Sequence, residues 1–355
     1  MSKAESSVAE LYVISFTCDF KRYSKDLTYE NVEQCLKIDP FNKTYDEYIE
    51  PTLLYFAEDS NKLAKALCVD RIVPKGLYIM GIYGGEKKKG AEEYAGLVLQ
   101  QFRRKNNEFI LQLYNTRKTL EVPERVLRDY GVGVFETVYV GEINPFKLQR
   151  LLPVILSNGG EKSMKEFLKY IVKVFERDLP KEDINKINAL AEELKQPDKI
   201  EVLNQKKYYV LYRGDRAFSA TVFVPNSDKC IVESHVGYVE VNDESIAYYY
   251  AALLNYLAYK VVESGKSFNR HQFARPLQAL YVAGLSWHNV DEATRLKIVE
   301  LSKKLHEKAP LKKYGNQSVA LKEISTYPEF RELKEILDKI IDKRRLEKML
   351  GLVSG

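Results

Sequence analysis

The sequence predicts an α+β protein with a mixed N-terminal part and a small C-terminal antiparallel sheet joined to a helical region. Three observations predict it. Strand-like and helix-like stretches alternate over residues 1–156, residues 157–200 turn helical, and the strand-rich stretch 200–241 gives way to long helical patterns. The 355 residues are 45% hydrophobic and 30% charged, enough to bury a real core in two domains or one large one.

Taken in order, Leu11–Phe16 reads as a buried strand, and Tyr45–Leu67 carries helical apolar spacing through Tyr48, Leu53, Leu54, Phe56, Leu63 and Leu67. Leu77–Tyr83 and Glu108–Tyr114 read as strands. Gly84-Gly85 and the basic run Lys87–Lys89 mark a turn between them. Val132–Val140, rich in Val, Phe, Thr and Tyr, is again strand-like. After the Ser157–Gly160 loop, Met164–Arg177 shows helical spacing. Pro180 opens a second helical stretch that ends before Pro197, and residues 157–200 are expected to be a helical connector between domains 1–156 and 201–355.

Tyr208–Tyr212, Phe218–Val224 and Tyr238–Val241, separated by turn residues, predict the small antiparallel sheet. Its tyrosines Tyr208, Tyr209 and Tyr212 are expected in core packing, with base stacking the sharper alternative. Asn242 is placed to cap the next helix, with Asp243 and Glu244 in its first turn and a stop near Gly265. Two more helices are expected, at Asp291–Lys308 and Glu329–Leu350.

Charge is uneven. Residues 201–355 hold 24 Lys and Arg against 19 Asp and Glu, so the whole net charge of +5 lies there, where a basic face would suit a phosphate backbone. Lys and Glu are abundant, as in thermophilic proteins. No apolar run reaches the roughly 18 residues of a membrane span, and the opening Met1–Ser7 has no apolar signal core. A cytoplasmic protein is expected, nucleoid-associated if prokaryotic. Cys18, Cys35, Cys68 and Cys230 form no CxxC pair, so neither a zinc site nor a disulfide is expected, nor any other metal or cofactor.

The stretch Lys266–Pro276 is the most suggestive for binding. Lys266, Arg270, His271 and Arg275 come without an acid, and Asn269 and Gln272 carry amides that can pair with base edges. Lys303, Lys304, Lys312 and Lys313 form a second basic cluster suited to phosphate, and Lys343–Arg345 a third. Solvated surface is the competing reading for all three.

Three blocks carry a family resemblance. Asp243–Tyr256 resembles an acidic cap leading into a helix of the form A-Y-Y-x-x-A-x-L-N. Arg270-His271 and Arg275-Pro276 match an R-H-x-x-x-R-P turn, and Ile298–Ala309 matches L-S-x-x-x-H-E-x-A. In this order they resemble the region that follows the catalytic domain in adenine-specific DNA methyltransferases of the type IIG restriction–modification kind. The resemblance covers roughly residues 201–350. It implies a target-recognition portion that closes over duplex DNA while an adenine is flipped out.

The departures are as informative. The family's Asn/Asp-Pro-Pro-Tyr/Phe tetrapeptide is absent, and Asp39-Pro40-Phe41 lacks the second proline. Gly81–Gly85 and Gly131–Gly133 are only short glycine strings, without the strand–loop–helix setting that cradles S-adenosylmethionine. There is no GxxxxGK[ST], HExxH or GxSxG. The acids Glu233, Glu240 and Asp243 match no nuclease spacing, and His288 beside Trp287 is expected to pack or cap.

The leading expectation is thus a non-catalytic protein that binds double-stranded DNA, as a specificity subunit with a catalytic partner or as a chromosome-organising, repair or regulatory factor. Two alternatives stay open: a DNA-processing enzyme (nuclease or degenerate methyltransferase) with an unrecognised site, and a protein–protein adaptor.

Overall fold

A computed structural model describes residues 60–77, 79, 95–113, 118–157, 160–194, 200–214, 218–265 and 275–341, with backbone only at 193, 275 and 282. The expected strand at 11–16, most of the helix expected over 45–67 and the glycine string 81–85 lie outside the described residues.

Helix α1 (Ser60–Leu67) turns its Leu63, Ala64 and Leu67 inward and leads through Cys68, in the left-handed region at φ 60°, into the short strand β1 (Arg71–Val73). Three antiparallel strands follow: β2 (Gly96–Lys105), β3 (Glu108–Leu113) and β4 (Thr119–Pro123). The turn between β2 and β3 places Asn106 at φ 55°, a conformation that asparagine tolerates better than most residues. Helix α2 (Glu124–Asp129) ends at Gly131, whose φ of 61° makes the tight turn into β5 (Val132–Val138). Gly131 therefore sits on a helix-to-strand turn, the reverse of a cofactor-cradling loop, and Gly133 lies within β5, paired with Leu156.

A 3-10 turn (Val140–Glu142) and the two-residue strands β6 (Ile143–Asn144) and β7 (Lys147–Leu148) form a small hairpin before β8 (Leu152–Ser157). Helices α3 (Glu161–Phe175) and α4 (Lys181–Glu193) come next, the latter capped by Pro180 as its sequence predicts. They are more than a connector. Met164, Phe167, Leu168 and Ile171 of α3 and Ile187 and Leu190 of α4 pack onto Leu97, Leu111, Leu120 and Ile155 of the strands below. The 3.6-residue spacing of those apolar positions gives the stripe that a sheet face can cover.

The remaining strands are β9 (Tyr208–Arg213), β10 (Ala220–Phe223), β11 (Cys230–Val232) and β12 (Val236–Val241). They complete two larger sheets, with strand orders β1-β12-β9-β10 and β11-β5-β8-β2-β3-β4. The four-stranded sheet is antiparallel throughout, as expected for the C-terminal part, and the α+β class holds. Each sheet also takes one strand from across the 157–200 stretch: β1 joins the C-terminal sheet, and β11 pairs in parallel with β5. Tyr209, Leu211 and Tyr238 on one face of the four-stranded sheet pack with Val138, Ile143 and Val232, joining the two halves.

The other face of that sheet carries the helical layer. It comprises α5 (Glu244–Glu263), α6 (Arg275–Val282), a 3-10 turn (Trp287–Asn289), α7 (Glu292–Lys308), α8 (Gln317–Ile324) and α9 (Pro328–Ile340). Helix α5 is apolar on nearly every side because the sheet, α7 and α8 surround it. Its N-cap is Asp243, not Asn242: the Asp243 carboxylate accepts from Ser245 N at 2.7 Å. Asp291 caps α7 in the same way, from Thr294 N at 3.0 Å. Helix α9 begins on Pro328 and ends at Ile340, short of the expected Leu350. Ile341 is extended, and residues 342–355, with Lys343–Arg345, lie outside the described residues. His288 is exposed rather than packed, because only Trp287 of its 3-10 turn faces the core.

Candidate nucleic-acid interface

The two outer resembling blocks meet in space. Helices α5 and α7 pack together, and the start of the first block faces the third. Ser302 Oγ donates to Tyr248 O at 2.7 Å, and Lys303 pairs with Glu244. The Tyr248 and His306 rings meet edge-on, with centroids 4.9 Å apart.

These blocks also close the outer edge of β10. A sheet edge presents unpaired N–H and C=O groups, each costly if buried without a partner. Asn255 supplies both kinds of partner to one residue. Its Oδ1 accepts from Ala220 N at 2.9 Å, and its Nδ2 donates to Ala220 O at 2.8 Å and to Ala251 O at 2.9 Å. His306 serves the next outward group: its Nε2 accepts from Val222 N at 3.0 Å while its Nδ1 donates to Ser302 O at 2.8 Å. This arrangement requires the neutral imidazole, and desolvation pushes the ring's pKa down to about 4.

The hairpin of β6 and β7 completes the closure. Phe146 N donates to Ala220 O at 2.8 Å, and the buried Phe146 ring lies edge-on to His306 at 5.2 Å and Phe330 at 6.3 Å. Phe146 holds φ at 59°, a left-handed conformation costing roughly 1–2 kcal/mol for a residue with a Cβ. Burial of the ring, worth roughly 1.5–3 kcal/mol, offsets it. Asn255, Ser302 and His306 are thus scaffold residues. Their signal in the sequence was a polar group on an apolar helix face, which has to find partners.

The expected phosphate-binding lysines are all described, and each has a carboxylate. Lys303 pairs with Glu244 and Lys304 with Glu300, one turn earlier. Lys312 Nζ lies 2.9 Å from Glu323, and Lys313 Nζ 3.5 Å from the buried Glu142. The first three pairs, between partly exposed groups, contribute about 0–1 kcal/mol each. A phosphate contacting these lysines would compete with a carboxylate already in place.

Lys266, Asn269, Arg270, His271 and Gln272 lie outside the described residues, as does the side chain of Arg275, whose backbone opens α6. The flanks are described: the chain leaves α5 at Gly265, φ 70°, and re-enters the fold at α6, which packs on α1 and α5. Lys303 is held at the opposite end of α5, by Glu244. The helix has 20 residues, so its two ends are about 30 Å apart.

Of the acids considered for chemistry, Glu240 is engaged with Lys207 at 3.6 Å and Asp243 caps α5. Glu233, buried, accepts from Ser234 Oγ at 3.2 Å and Val140 N at 3.4 Å and pairs with His235. Among the described residues, no three His, Cys, Asp or Glu side chains converge as a metal site, and no helix is long and apolar enough to cross a membrane. Cys68 and Cys230 are free thiols, and burial pushes the Cys230 pKa up. Tyr209 and Tyr212 point to opposite faces of the sheet and are both buried; burial raises the Tyr209 hydroxyl to about 12.

No protein-family model matches the chain, and no curated protein does.

Proposed function

We propose that this chain is a non-catalytic protein that binds duplex DNA, on a scaffold resembling the target-recognition portion of type IIG adenine methyltransferases. The reading element is the stretch 266–275, with Arg270, Arg275 and His271 as contacts and Asn269 and Gln272 as base readers. One observation carries the reading. The block 266–275 carries Lys266, Arg270, His271 and Arg275 with no acid, and it lies in the sequence between two blocks whose residues hold α5, α7 and β10 together. The paired lysines of α7 and the following segment are secondary, since each already has a carboxylate.

The experiment is a comparison of duplex affinity between the wild-type chain and the double variant Arg270→Ala, Arg275→Ala. The expected loss is about 1–3 kcal/mol per base contact, or an even loss across sequences if the arginines touch phosphate. A folded double variant with unchanged affinity removes the stretch from the proposal. The paired state of the four lysines favours a second reading, a protein–protein adaptor, which predicts no duplex affinity in either protein.

A further inference from the structure

The six-stranded sheet is split along its middle. β2 and β8 pair only from Gly96↔Leu156 to Val98↔Val154. A register shift between Leu99 and Gln101 then turns β2 aside, and Gln101–Lys105 pair with β3 alone among the described strands. The split leaves an open, solvent-facing slot of about 440 Å³ between β2 and the wall made by β5, β8 and Arg150. Bulges of this kind are over-represented beside functional sites.

The lining has a definite chemistry. Arg103 stands on the β2 wall and Arg150 on the opposite one, both exposed. Arg103 Nη2 donates to Gln101 Oε1 at 2.6 Å, and Arg150 Nε lies 3.4 Å from Glu142 Oε2. Glu136 is the one carboxylate in the lining among the described residues, and it already accepts from Ser227 Oγ at 2.8 Å. Phe135 lines the slot half-buried, whereas the Phe102 ring packs on Phe109 at 4.6 Å toward the helix-covered face of the sheet. Guanidinium groups bind phosphate, carboxamides pair with base edges, and phenyl faces stack on bases of any sequence.

We propose that this split-sheet slot, with Arg103 and Arg150 on opposite walls and Phe135 in its lining, binds a nucleotide unit, either free or within a single strand. The single-strand form rests on the nucleic-acid reading above. The free form does not.

The test uses the full chain as wild type, as Arg103→Glu and as the Arg270→Ala, Arg275→Ala double variant, each confirmed folded by circular dichroism. Arg103→Ala replaces the glutamate variant if that one fails to fold. The probes are a fluorescent short oligothymidylate, a fluorescent adenosine triphosphate analogue and a mixed-sequence duplex, followed by anisotropy. Single-strand affinity is expected to fall about tenfold or more in Arg103→Glu and to persist in the double variant. Duplex affinity is expected to do the opposite, so either site can fail without the other. Binding of the triphosphate with the same dependence on Arg103 identifies a free nucleotide as a ligand; strand binding alone identifies the polymer. The proposal is overturned if neither nucleotide probe binds, or if both bind Arg103→Glu as they bind wild type. It is equally overturned if an acidic peptide alone binds in an Arg103-dependent way, which would mark the open β2 edge as a strand-addition site.

Discussion

The two large sheets treat their exposed backbone in opposite ways. The free side of β10 is closed by Asn255, His306 and Phe146, which come from α5, α7 and the β6–β7 hairpin. The free side of β2 beyond Leu99 has no such cover among the described residues and carries Arg103, Arg104 and Lys105 instead. Charged side chains on an open edge discourage pairing with other chains while keeping the edge accessible. The difference teaches where to look for function. An edge closed by buried, saturated polar groups is scaffold, however suggestive its residues look in a sequence. An edge without such cover among the described residues, and carrying guanidinium groups, is where a binding site is worth testing.

The comparison breaks most visibly at Asn255. Asn255→Leu leaves Ala220 N buried without a partner and removes one of the two donors to Ala220 O, and is expected to cost roughly 2–5 kcal/mol. A urea titration reads this as a lower midpoint with little change in slope. His306 is expected to have the next largest effect. Its folded pKa lies below the unfolded value of about 6.5, so the unfolded chain binds the proton more readily. The stability it contributes is complete above about pH 6.5 and is lost as pH falls toward about 4, by on the order of 3 kcal/mol at most. Urea midpoints across that window check this, and His306→Gln is expected to flatten the His306 part of the slope. At the open edge, Gln101→Ala is expected to change stability by less than about 0.5 kcal/mol, because it uncovers no buried backbone group.

Much of the helical layer was legible in the sequence. The apolar run of α5, the extent of α7 from Asp291 to Lys308 and the Pro180 start of α4 all follow from local rules. The cap of α5 was misplaced by one residue because Asn242 and Asp243 are both good caps, and only the backbone decides between them. Strand β2 escaped notice because its second half, Gln100–Lys105, is polar and basic and lacks the alternation of a half-buried strand. The exchange of β1 and β11 between the two halves was illegible in principle, since pairing between residues more than 90 positions apart leaves no local period. The roles of Asn255 and His306 were hidden for a similar reason: their partners, Ala220 and Val222, are 35 and 84 residues away. The slot depends on a bulge and on the divergence of two strands, neither of which composition records.

The most direct test of the central claim is the salt dependence of binding to a mixed-sequence duplex, measured by anisotropy on the full chain. Duplex binding through the 266–275 cations predicts an affinity that falls linearly with the logarithm of salt concentration, with a slope that becomes shallower by about one unit for each phosphate-contacting arginine removed. No binding at low salt would contradict duplex-DNA binding by this chain.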